Sequence, residues 1–161
     1  MSTTTRTAEL AKQFEAVNAE IIAVVEGCSD EQWVQPTKED GRTVGVLAHH
    51  VAEVNGAFAG IIERLAAGDT YTPNVSMEAV HESNARHARE NETIGKPETL
   101  DVLRSNGEAI LKMLDGIDDE MLDRTAGVFG GHEMTVTQVL EWVVIGHVAE
   151  HLGTIRDTLG G

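Results

Sequence analysis

His147 and His151 stand four residues apart in Thr135–Leu159, TVTQVLEWVVIGHVAEHLGTIRDTL. Side chains at i and i+4 of a helix are neighbours, roughly 5–6 Å apart at Cβ, so two imidazoles so placed can converge on one cation through bonds of about 2.0–2.1 Å. Thr135 with Gln138 three residues on reads as a capping box that starts the helix, and Gly160-Gly161 ends it. At about 100° per residue, Val136, Leu140, Val143, His147 and His151 fall in one sector, the sector expected to face a core. A buried imidazole needs partners for both ring nitrogens. The pair alone is therefore open between a metal site and a hydrogen-bonded polar pair, and a third ligand elsewhere decides for metal.

The third candidate comes from a helix expected from Thr43 to about Ala67. Val44, Leu47, Val51, Val54, Phe58, Ile61 and Leu65 alternate at spacings of three and four, which defines one apolar seam. On that seam His50 lies about 60° from the centre of the apolar face and His49 about 160° away. His50 is expected inward. His49 is expected to be a solvated surface residue.

Two further helices complete the set. From Thr7 to about Glu26, Leu10, Phe14, Val17, Ile21 and Val24 form a seam that Cys28 continues. With no His or basic residue beside it in sequence, Cys28 reads as a small buried filler and not as a nucleophile. Residues 1–6 are polar and expected to fray. Ser29 with Gln32 offers another capping box for a short turn, followed by a loop through Pro36 and Gly41. Pro97 suits the first position of a helix reaching about Leu114, with Leu100, Leu103, Gly107, Ile110, Leu114 and Ile117 on its seam. Gly107 is open between close helix packing and room for a bound group.

Between the second and third long helices, residues 69–75 read as a long connection, and Ser76 to Glu92 as a weakly amphipathic helix. His81 and His87 sit in it among charges and are expected to be exposed, with a place at a pocket mouth as the alternative. Asp118 to Asp123 reads as a short acidic turn. Thr125 to Met134 (TAGVFGGHEM) reads as a Gly-rich link or short hairpin, in which His132 is a weak site candidate. Gly130-Gly131 lacks the strand, lysine and helix context of a phosphate-binding loop.

Composition agrees with this organisation. A chain of 161 residues suits one domain, spanning residues 1–161, and with 41% apolar but only 4% aromatic residues its core must be mostly Leu, Val, Ile and Ala. Twelve basic against 27 acidic residues give a net charge of −15, which repels phosphate backbones and anionic membranes. Neither nucleic acid nor membrane is expected as a partner. A single cysteine excludes an internal disulfide framework and suits a reducing compartment. The first residues lack a signal-peptide core and no apolar run reaches the ~18 residues of a membrane span, so a cytoplasmic location is expected.

Four long helices with seven-residue seams and uneven connections describe an all-α four-helix bundle, its longer, partly helical connection lying between the second and third long helices. In it His50, His147 and His151 can meet. Three neutral imidazoles suit Zn²⁺, Ni²⁺, Co²⁺ or Fe²⁺ by ligand type, and at least one position stays open for water or a substrate atom.

The segments TVGVLAHHVAEV (residues 43–54) and GHVAEHLGTIR (residues 146–156) resemble the DinB-like metalloprotein superfamily, including its mycothiol-dependent maleylpyruvate isomerase and bacillithiol transferase types. The resemblance implies a four-helix bundle holding a divalent metal, Zn or Ni foremost. Its ligands would be one His of the second helix and an H-x-x-x-H pair on the last. Thr43, Val44 and Leu47 match the positions before the first ligand, which falls on His50, and the pair falls on His147 and His151. One departure is Arg42, where thiol-dependent members often carry an aromatic residue.

The function so implied is a metal-dependent thiol S-transferase or isomerase, with a low-molecular-weight thiol such as mycothiol as cosubstrate and an electrophile as its acceptor. The alternatives are a non-enzymatic metal- or small-ligand-binding bundle and a dimerisation protein whose histidines are structural. Trp33 and Trp142 are open between core, pocket wall and a homodimer interface. His147, Glu150 and His151 also spell H-x-x-E-H, the inverse-zincin arrangement with Glu as general base. That peptidase needs a later carboxylate ligand on another element, and the only acidic residue after His151, Asp157, lies on the same helix.

Overall fold

The computed structural model describes residues 5–69, 76–129 and 132–160. Most of the connection expected at 69–75, the Gly130-Gly131 pair and residues 1–4 lie outside them. Helix α1 (Arg6–Gly27) begins earlier than the polar terminus suggests, because Thr5 caps it by accepting from the Ala8 amide. A one-turn helix α2 (Asp30–Trp33) carries the expected Ser29/Gln32 capping box. Helix α3 (Val44–Ala66) is capped by Thr43, α4 (Met77–Glu90) by Ser76, and α5 (Lys96–Asp115) has Pro97 in its first turn. The acidic segment forms a one-turn helix α6 (Asp119–Leu122).

The Gly-rich link is a hairpin. Strands β1 (Thr125–Phe129) and β2 (His132–Thr135) pair antiparallel, with a bulge between Thr125 and Gly127, and Gly127 takes a positive φ of 128° there. The hairpin leads straight into the last helix, whose Thr135/Gln138 capping box forms as expected.

That last helix is not one regular α-helix. It runs as α7 (Val136–Gln138), a π-helical stretch (Val139–Ile145) and α8 (Gly146–Leu159), ending on Gly160 in the left-handed region. The wider π turns rotate later residues relative to a constant 100° step, so the expected single sector is redrawn. Val139, Leu140, Val144, Val148, Leu152 and Ile155 are buried, while Val143 and His147 are half-buried. His147 and His151 both lie in regular α8, beyond the π stretch, so their i, i+4 relation is intact.

Around the bundle, α5 packs on both α1 and α3, and α8 also packs on both α1 and α3. Thus α3 and α8 are neighbours, and the diagonal pairs are α1 with α3 and α5 with α8. The continuous core is mostly aliphatic, with Ile21, Leu47, Leu103, Ile110, Leu114, Leu140 and Ile155 fully enclosed around the aromatic Phe14. Gly107 is explained by packing, since a Cβ there would stand 2.4 Å from the Asn18 amide nitrogen on α1.

The 34–43 segment is fixed to both helices that carry the site. Pro36 bridges to Thr43, the Gln35 side chain donates to the Thr158 carbonyl at 3.1 Å, and the Lys38 amide donates to Thr158 Oγ1 at 3.2 Å. Gly41 turns the chain at φ 82°. Trp33 anchors the near end, buried, donating its indole N–H to the Ile94 carbonyl at 2.9 Å. Trp142 lies instead on the surface.

Candidate metal centre

His50 leaves α3 toward α8, and His147 and His151 leave α8 one turn apart. His50 Nε2 and His147 Nε2 approach to 3.2 Å, and His147 Nε2 and His151 Nε2 to 3.1 Å. One ligand atom from each lies within 4.8 Å of the other two. Donors bound to one ion at about 2.0–2.1 Å are separated by roughly 2.8–3.0 Å in octahedral and 3.3–3.4 Å in tetrahedral arrangement, so the observed spacings fall in the range a chelating set requires. The rings stand edge-on to one another, at 61° for His50 with His147 and 89° for His147 with His151.

A hydrogen-bonded polar cluster accounts for this geometry less well. Three neutral imidazoles that aim the same ring edge at one point have at most two N–H···N bonds to make there. The opposite nitrogens gain nothing in exchange, since Nδ1 of His147 and of His151 are both buried without a hydrogen-bond partner. A Glu39 carboxylate oxygen stands 3.8 Å from His151 Nδ1, beyond hydrogen-bond distance. A carboxylate on the far nitrogen of a ligating His fixes its tautomer and raises its basicity.

Electrostatics keep the donors ready. Burial, aided by the neighbouring imidazoles and by the Arg42 guanidinium, drives the His50 pKa down to about 3. Burial first, then His151 and Arg42, takes His147 to about 4. His151 is lowered by burial against the opposing pull of Glu39. All three are thus neutral with lone pairs free at physiological pH, the state a metal requires.

Arg42 is the charged wall of the site. Its side chain is only 9% exposed and its Nε donates to Asp40 at 2.8 Å, while its Nη1 is buried without a partner. A buried guanidinium nitrogen without an acceptor is costly, and an anion is its natural complement. Arg42 also lines a cleft of about 740 Å³, whose opposite wall is formed by His81, Asn84, Ala85, Ala88 and Arg89 on and about α4.

Two of the expected exposures are overturned. His49 is buried, 5% exposed, and its Nδ1 approaches His87 Nε2 to 3.0 Å. The seam places His49 opposite the bundle axis correctly, but α4 covers that outer face of α3, which periodicity within α3 does not reveal. His87 is accordingly half-buried and its pKa is lowered by burial, whereas His81 is exposed, as expected. His132 is exposed on the hairpin, and Glu150 is exposed on α8. Neither joins a metal-ligand grouping among the described residues. Cys28 is a buried filler whose thiol pKa is pushed up by burial, against the attraction of Lys96. The sequence reading did not single out Glu39, Glu53 or the His49–His87 contact. A signal existed only for Glu53, which stands four residues after His49.

The family profile described as the DinB superfamily matches residues 13–155. No curated protein matches the sequence. Among solved structures, YfiT from Bacillus subtilis, described as a probable metal-dependent hydrolase with an unusual four-helix bundle topology, superposes with a TM-score of 0.73 at 18% identity. The match covers 99% of this chain and 91% of that one. The mycothiol-dependent maleylpyruvate isomerase superposes with a TM-score of 0.73 at 15% identity, covering 96% of this chain. The chain spans 63% of that isomerase's length. At these identities the likeness is one of fold.

Proposed function

The chain belongs to the DinB superfamily, and from that premise we propose that it is a divalent-metal-dependent protein of thiol S-transferase type, with His50, His147 and His151 as the metal ligands. The observation that carries this reading is that His147 Nε2 stands 3.2 Å from His50 Nε2 on the adjacent helix and 3.1 Å from His151 Nε2, with one ligand atom of each residue within 4.8 Å of the other two. Zn²⁺ or Ni²⁺ suits such an all-imidazole set. A bound ion would supply Lewis acidity, lowering the pKa of a thiol or water at its open position.

The chain's own residues do the rest. Burial holds the three imidazoles neutral and fixed in place. Glu39 places a carboxylate 3.8 Å behind His151 Nδ1, where its charge favours a proton on that nitrogen and leaves Nε2 free to ligate. Arg42, with Nη1 unpartnered, offers a cation to an anionic group of the thiol cosubstrate or of its acceptor. Cys28 is buried and its thiol is held protonated, so the nucleophile must be external. A mycothiol-dependent isomerase and a probable metal-dependent hydrolase among the structural neighbours fit a site of this kind.

The test is spectroscopic and catalytic together. Cobalt-loaded protein should develop a sulfur-to-cobalt charge-transfer band on addition of mycothiol, bacillithiol or a mimic, and His147→Ala should abolish it. Turnover of chlorinated or epoxide acceptors should require the same thiol. A fully loaded cobalt site that no thiol perturbs would sink the transferase reading and leave a metal-binding module.

A further inference from the structure

A second set of donors converges on the opposite side of α3. His49 and Glu53 lie one turn apart on that helix, and His87 reaches them from α4. His49 Nδ1 and His87 Nε2 are 3.0 Å apart, His87 Nε2 and a Glu53 oxygen 3.4 Å, and His49 Nε2 and the other Glu53 oxygen 3.9 Å. One ligand atom of each falls within 4.8 Å of the other two. The layout mirrors that of the first site: an i, i+4 pair on one helix plus one imidazole from its neighbour. We propose that His49, Glu53 and His87 form a second divalent-metal site, for a first-row transition ion that accepts two imidazole nitrogens and one carboxylate oxygen.

The donor set and its surroundings both favour an ion. Two imidazoles and a carboxylate with open positions for water suit Zn²⁺, Fe²⁺, Mn²⁺ or Co²⁺. His49 and His87 stack at a centroid separation of 5.2 Å and 21° between planes, so their facing nitrogens are held together by packing. Burial of the His87 ring keeps it neutral, while Glu53, half-exposed, supplies the negative charge that the first site lacks. The two sites nearly adjoin, for the rings of His50 and His87 are 5.6 Å apart.

The ion would also do structural work. Helix α4 contributes no fully buried residue. Its attachment to α3 among the described side-chain contacts runs through His87. An ion shared by His87, His49 and Glu53 fixes α4 in place, and with it the wall that faces Arg42 across the cleft.

This inference does not depend on the first site, and metal stoichiometry separates the two. Metal-stripped protein is titrated with Zn²⁺, and bound metal is measured after removal of excess. Wild type should bind two equivalents, and His87→Ala and Glu53→Gln one each. The double variant His147→Ala/His151→Ala should retain one equivalent, which adding His87→Ala removes. Unchanged wild-type stoichiometry in both His87→Ala and Glu53→Gln would overturn the proposal. So would a folded His147→Ala/His151→Ala protein, helical by circular dichroism, that binds no metal. Glu53 is exposed and His87, half-buried on the outer helix, lies outside the hydrophobic core, so those two variants are expected to fold.

Discussion

At the scale of single residues, the centre rests on imidazoles that burial keeps uncharged. In the unfolded chain a His titrates near its ordinary value of about 6.5. In the folded, metal-free chain His50 titrates at about 3 and His147 at about 4. Between those limits the unfolded state takes up protons that the folded state refuses. Stability is thus fully present above about pH 6.5 and falls as pH drops through the window. In chelator, wild-type Tm should decline more steeply from pH 7 to pH 4.5 than that of His50→Gln, and parallel curves would contradict the assignment of a neutral, buried His50. Behind the proposed ligands, Glu39→Gln should weaken metal affinity by about tenfold, the low end for loss of such an outer partner. Competition against a chromophoric chelator measures it, and an unchanged affinity would remove Glu39 from the site. His50, His147 and His151 were legible in the sequence because each sits in phase with, or one turn from, an apolar seam. Arg42, Glu39 and His87 were not, because their places depend on how a loop and an outer helix fold back onto the bundle.

At the scale of elements, the segment between α1 and α3 is what turns two helices with histidines into a site with a charged wall. Its anchor is Trp33, pressed against α3 where Gly45 leaves room. A Cβ at position 45 would stand 2.5 Å from the indole ring. Gly45→Ala should therefore displace the ring and cost about 1–3 kcal/mol, as overpacking does. Urea unfolding followed by circular dichroism measures this loss. An undiminished stability would mean that the ring yields freely. Sequence signals located Ser29, Gln32, Thr135 and Gln138 as caps, since capping boxes are local chemistry. The π-helical stretch at Val139–Ile145 escaped them, because the residues that form it also suit an α-helix. Its consequence is visible in the packing, with Val144 buried where a regular helix would bury Val143. The burial of His49 escaped for a related reason. A seam reports the face that meets the bundle axis and says nothing of a fifth helix laid against the outside.

At the scale of the whole molecule, the core is continuous and mostly aliphatic, built from residues other than the three histidines. Metal removal should lower Tm while leaving the helical circular dichroism intact. Metal at a hundred times its Kd should raise stability by about 2.7 kcal/mol per site, the mass-action value. Collapse of the helical signal on chelation at 25 °C would show that the metal is part of the folding nucleus. The chain's net charge of −15 is consistent with attraction of divalent cations, and raising ionic strength should slow metal uptake. The bundle itself was legible from four seams and their connections. The adjacency of α3 and α8, on which the centre depends, was not, because periodicity fixes which face is apolar and not which helix it meets. The central claim is that His50, His147 and His151 hold one divalent ion between those two helices, and its most direct test is a cobalt titration of the His87→Ala protein, in which this triad is the one ligand grouping left among the described residues. Visible d–d absorption at this triad should saturate at one equivalent per chain and vanish when His147→Ala is added. Failure of the His87→Ala protein to take up cobalt, or undiminished uptake in the double variant, would contradict the account.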